Sequence, residues 1–161
     1  MATRHQELQK ITRKYKDETG EKEVDTHKVA EYAKKLGWPM PKPKSPIDLL
    51  AREISGALRE EIRTDKKTGK PYRANHAYQT NLFGETVTRW IDIDEAPRTP
   101  MLKSVVNRRE QVVGDMVQLS LDVDHWNSIN SKDEPIVVQT DFTEDVEWRK
   151  NAPEDDQKDA A

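Results

Sequence analysis

Residues 99–130 read TPMLKSVVNRREQVVGDMVQLSLDVDHWNSIN, and this stretch decides the fold. Thr99 followed by Pro100 reads as an N-cap with proline at the first helical position. Leu102, Val105, Arg109, Val112, Met116, Leu119, Val123 and Trp126 then recur at alternating spacings of three and four. That is the a/d seam of a heptad, held for about four heptads. Proline does not interrupt it, and Gly114 falls at an f position, away from the seam. Such a helix would span roughly 45 Å at 1.5 Å per residue. The other elements are therefore expected to pack around 100–130.

Upstream of it, two strands are predicted over 72–82 and 85–93. The Asn81-Leu82-Phe83-Gly84 segment joins them as a hairpin. Val87, Arg89, Ile91 and Ile93 alternate with Thr88, Trp90 and Asp92, which gives one mainly apolar face. A charged turn, 64–71, precedes the hairpin and carries Gly69. Before that turn, Ser45-Pro46-Ile47-Asp48 is a helix start in which serine caps and an acidic side chain reaches back. Ile47, Leu50, Ile54, Leu58 and Ile62 continue it at helical spacing, predicting a helix over 46–63. The alternating prolines of 38–44 force an extended connector, either a stiff ligand-like arm or a linker with Trp38 and Met40 tucked inward. A helix over 26–36 lies before it. The first helix, 3–16, opens on a capping box of Thr3 and Gln6 and stops by Gly20. Downstream of 130, residues 136–138 suggest a short edge strand. Residues 143–161 read as an acidic tail with a disordered end. The expected organisation is a charged N-terminal helix or arm (1–22), a globular domain (23–142) and that tail.

The composition narrows the function classes. The 161 residues include no cysteine, which excludes disulfides, thiolate metal sites and cysteine nucleophiles. No membrane-spanning run or signal-peptide core is present, so the chain reads as cytoplasmic with no membrane partner. The net charge of −3 conceals a polarity. Residues 1–74 carry 18 Lys and Arg against 12 Asp and Glu, and residues 75–161 carry 9 against 18. Either a polyanion-facing half is joined to an acidic one, or both are solvated surfaces.

Three helices, a basic turn and a strand follow one another in the order of a winged helix-turn-helix. In that reading Arg52, Arg59 and Arg63 project from the third helix. Lys66, Lys67, Lys70 and Arg73 form a wing that touches DNA phosphates, or those of another polyanion. The long proline-rich connector departs from the usual short turn. A second constellation is the seam itself, Leu102, Val105, Arg109, Val112, Met116, Leu119, Val123 and Trp126. It serves either pairing between molecules, as a homodimer or with a protein partner, or packing within the chain. Arg108 and Asp115 at g positions are able to cross-pair.

Catalytic and metal signals are weak. Asp122, Asp124 and His125 fail the EF-hand pattern, with Asn127 where glycine is needed and Asp133 where glutamate is needed. Asp92, Asp94 and His76 imitate a nuclease site only loosely. Phosphate-binding glycine loops and nucleophile elbows are missing. No cofactor is expected. The tail mixes acid with Phe142 and Trp148, which suggests a segment able to fold back over the basic half and inhibit binding there.

The stretches DKKTGKPYRANH (65–76) and WIDIDEAPR (90–98) resemble segments of uncharacterised bacterial proteins, a likeness that implies no particular activity. Together these readings give an α+β, mainly α protein. Its winged-helix-like three-helix half and β-hairpin precede one long amphipathic helix. The expected function is a non-enzymatic nucleic-acid-binding or regulatory module. The alternative is a protein-interaction adaptor using 100–130.

Overall fold

The computed structural model describes residues 1–152. They form an α+β, mainly helical protein in two compact units, Met1–Glu53 and the remainder from Ile54 onward. The division between the two units falls within a helix.

The first unit holds α1 (Arg4–Thr19) and α2 (Thr26–Lys35). Thr3 caps α1 in a full capping box with Gln6, and Gly20 ends it at φ 73°, in the left-handed region. Asp25 caps α2 by accepting from the His27 amide at 2.8 Å. The two helices pack through an edge-to-face pair, Tyr15 and Tyr32, with ring centroids 5.5 Å apart. Tyr15 donates to Glu21 at 3.0 Å, and Tyr32 donates to Glu18 at 2.7 Å. The bond to Glu18 favours the neutral phenol and pushes the Tyr32 pKa up to about 12. The first helix is therefore packed against the second. In the proline connector, Trp38 lies half-buried with the Arg4 guanidinium 5.0 Å over its ring, whereas Met40 is exposed.

Helix α3 (Pro46–Glu60) starts at the Ser45 cap, whose hydroxyl accepts from the Asp48 amide at 3.2 Å. It crosses from the first unit into the second. It stops three residues short of Arg63, because Ile62 and Arg63 are captured as strand. In the second unit β1 (Ile62–Thr64) pairs antiparallel with β2 (Pro71–Arg73), and β3 (Asn75–Leu82) with β4 (Glu85–Asp92). The strand expected over 72–82 is broken at Ala74, which is fully buried. Its amide donates to the Glu61 carbonyl at 3.0 Å and its carbonyl accepts from the Ile93 amide at 2.8 Å, so one residue hinges both hairpins. The β3–β4 turn is tight because Phe83 (φ 51°) and Gly84 (φ 85°) both take positive φ, as a primed turn requires.

Helix α4 (Arg98–Ile129) is the long helix, and it begins two residues earlier than the Thr99 cap predicts, after Pro97. Its orientation bears on the seam, which the sequence left open as a pairing or a packing surface. The residue buried in it is Ser104, not a seam residue, and the helix lies against β3. Most of the seam faces outward: Leu102, Val105, Val112, Leu119 and Trp126 are exposed. Met116 and Val123 are half-buried, as are Ser120 and Asn127. Near these, 136–138 forms no strand. Asn127 instead clasps the backbone of Ile136, its amide donating to the carbonyl at 2.9 Å and its oxygen accepting from the N–H at 2.9 Å. A side-chain amide here supplies the hydrogen bonds that a neighbouring strand would have supplied. Residues expected to start a disordered tail form α5 (Thr143–Asn151), and 153–161 lie outside the described residues. No described helix is long and apolar enough to cross a membrane.

Candidate functional site

The seven basic residues singled out in the sequence have different environments. Arg52 is exposed on the part of α3 that belongs to the first unit. Lys66 and Lys67 are exposed in the β1–β2 turn. That turn is shaped by Asp65, whose carboxylate accepts from the Lys67 amide at 2.7 Å and whose own amide donates to the Lys70 carbonyl at 2.9 Å. Lys70 lies in the same turn, and its ammonium donates to the Asn151 side chain at the end of α5, at 2.9 Å.

Arg63 is fully engaged. Its guanidinium donates to Glu61 at 2.9 Å, to Asp92 at 2.9 Å and to Asp94 at 2.7 Å. Tyr72 adds a hydroxyl bond to Asp94 at 3.0 Å, and Asn75 donates to the second Glu61 oxygen at 2.7 Å. Asn75 and Arg63 hold the Glu61 carboxyl below the usual carboxylate range, and Arg63 does the same for Asp92. The three carboxylates raise the Arg63 pKa further, so this cation is permanently charged and already neutralised. The cluster is a clasp that ties β1 to the end of β4, and it accounts for Asp92 and Asp94 without nuclease chemistry. His76, the third member of that loose constellation, bonds instead to the Arg73 carbonyl through Nε2 at 3.2 Å. Because a carbonyl only accepts, Nε2 carries the proton. On α4, Asp122 accepts from Gln118 at 2.9 Å. Among the described residues no group of three or more His, Asp or Glu is placed to hold a metal ion.

The remaining two, Arg59 and Arg73, converge. With Arg108 and His76 they line a cleft of about 220 Å³ between the end of α3, the hairpins and α4. Trp90 forms one wall, and the Arg59 guanidinium lies 5.5 Å over its ring. Ser104, Asn107 and Gln111 supply the α4 side, with hydroxyl and amide groups able to donate. The lining includes no carboxylate. Three arginines from three elements therefore line one space whose lining includes no carboxylate. Sequence reading missed the roles of Arg108 and His76. Arg108 is legible as a heptad g residue and His76 as part of a loose constellation with Asp92 and Asp94, and neither pattern reveals that the two line one cleft with Arg59.

No family model, curated protein or solved structure matches the chain, so the arrangement is interpreted from its own chemistry.

Proposed function

We propose that the second unit is a non-enzymatic nucleic-acid-binding module that grips backbone phosphate in the Arg59–Arg73–Arg108 cleft. The observation that carries this reading is that those three arginines and His76 line one cleft with no carboxylate in its lining. Arginine presents planar, bidentate donors suited to phosphate oxygens. The cleft is smaller than the ~300–1,000 Å³ typical of sites that enclose a whole small ligand. It suits one phosphate of a longer polymer, with further phosphates meeting Lys66 and Lys67 in the β1–β2 turn. These contacts position the partner without reading its sequence.

The test is fluorescence anisotropy with a random duplex across a salt series, comparing the wild type with Arg59→Ala/Arg73→Ala/Arg108→Ala. The wild type is expected to bind with a log–log slope of about −3 or steeper, since each neutralised phosphate contributes about −0.9. Absence of binding at low salt would overturn the reading. The adaptor alternative is favoured by one observation, the exposed apolar positions of α4. Its signature is a protein partner whose capture is unaffected by changes at Lys66 and Lys67.

A further inference from the structure

The arginine cleft continues along the β3–β4 hairpin. Beyond it lie two further hollows of about 530 and 630 Å³, and Asn107 of α4 lines all three. The cleft and the middle hollow share Ala77 and Gln111, and the middle and far hollows share Gln79, so the three form one groove. From Asn75 to Asn81 it follows β3 for about 20 Å at 3.3 Å per residue. Ala77, Gln79 and Asn81 stand opposite Trp90, Thr88 and Thr86, on one face of the hairpin, and these six line it.

Charge changes along this groove. The cleft has its arginines and no carboxylate, the middle has Glu110 and no cation, and the far end has Lys103 and no carboxylate. Phosphate is attracted to either end and repelled from the middle. The middle offers amides instead. Gln79, Asn107 and Gln111 make no side-chain hydrogen bond within the described residues, whereas Asn75, Asn127 and Asn151 of the same unit are each bonded to protein groups. Glu110 Oε1 accepts from Arg109 at 3.1 Å, and its Oε2 has no partner among the described residues. An amide both donates and accepts, and a carboxylate accepts from an amino group, which are the functions that recognise base edges. We infer that the groove takes a single strand of nucleic acid, with one phosphate in the cleft, a base over the middle amides and a further phosphate at Lys103. This rests on the phosphate reading of the cleft and goes beyond it in naming the strand. In a duplex the pairing edges are occupied and the bases lie stacked inside, so a duplex at the cleft gains the phosphate contacts. The bases of a single strand splay outward, bond along their free edges, and stack on aromatic rings and guanidinium planes. The Arg59–Trp90 pair supplies both kinds of surface at the cleft end.

The anisotropy assay tests this with a short labelled single strand, as DNA and as RNA, beside the duplex of the same sequence. The single strand of at least one sugar is expected to bind about tenfold tighter than the duplex, which still binds through its phosphates. Gln79→Ala/Asn107→Ala/Gln111→Ala should abolish that preference, while duplex affinity and thermal midpoint stay near those of the wild type. Arg59→Ala/Arg73→Ala/Arg108→Ala weakens both kinds of binding. With homopolymers of the sugar that binds, the wild type should favour cytosine, whose amino group donates to Glu110, over thymine or uracil, and Glu110→Gln should narrow the difference. A duplex that binds as tightly as both single strands overturns the inference and leaves the phosphate reading standing. So does an amide variant that folds and keeps the preference, and so does equal affinity for the two homopolymers. If neither the duplex nor any single strand binds at low salt, the phosphate reading fails and the inference with it.

Discussion

Arg63 and the trio of Arg59, Arg73 and Arg108 belong to the same unit and have opposite environments. Arg63 has a carboxylate on each side and a network behind those carboxylates. Arg59, Arg73 and Arg108 share a cleft whose lining offers no carboxylate. The same side chain is structural in one place and available in the other, and the distinction lies in what the fold brings opposite it. Charge counting along the chain treats Arg59, Arg63 and Arg73 alike.

The most direct way to break this comparison is to empty the cleft. Arg59→Ala/Arg73→Ala/Arg108→Ala is expected to flatten the salt slope of duplex binding by about two to three units. Affinity at low salt should fall on the order of tenfold or more, with little change in thermal midpoint. If the midpoint falls as far as the affinity, the cleft is structural too. The converse experiment removes the clasp. Arg63→Ala leaves Glu61, Asp92 and Asp94 facing one another and should lower the thermal midpoint by several degrees, read by calorimetry. The salt slope should change little where the protein stays folded.

Acid sharpens the same contrast. The folded-state pKa values of Glu61 and Asp92 are depressed, so their contribution to stability is present above the ordinary carboxylate range, near pH 4, and is lost as pH falls below it. A urea midpoint measured from pH 6 to pH 2.5 should drop below about pH 4, and Arg63→Ala should blunt that drop. In the first unit the sign reverses. Tyr32 is raised from 10.0 to about 12, so its contribution holds below pH 10 and fades as pH climbs toward 12. The smallest effect is expected from the C-terminal segment. Asn151 on α5 bonds Lys70 in the basic turn, and the segment is rich in acid. Deleting 144–161 should raise duplex affinity a few-fold in the same anisotropy assay. Unchanged affinity would remove any covering role.

Much of the local structure was legible in the sequence because its causes are local. Thr3 with Gln6, Asp25, the Ser45–Asp48 start and the Phe83-Gly84 turn each act within a few residues. The length of α4 was equally plain, since no proline falls inside it after its first turn. What was hidden depends on distant groups. The helical pattern of α3 continues through Ile62, but Arg73 pairs with Ile62 as strand, and carboxylates 29 and 31 residues away hold Arg63. The seam of α4 left open whether it packs within the chain or pairs with another molecule, and Ser104 is the α4 residue that is buried. The hairpin accepts a small residue there, and the valines are left for another surface. The cleft was invisible for the same reason: Arg59, Arg73 and Arg108 are 14 and 35 positions apart in sequence.

The clasp also bears on the order of folding. Each hairpin closes over a short stretch of chain, and the β3–β4 turn needs only two residues to reverse direction. Such local pairings form early because little chain entropy is spent on them. Arg63 must instead find Asp92 and Asp94 across some thirty residues, once both hairpins exist to present them. Its bonds therefore belong to the late, native side of the folding barrier. Their loss should be felt as faster unfolding, with the rate of folding nearly unchanged.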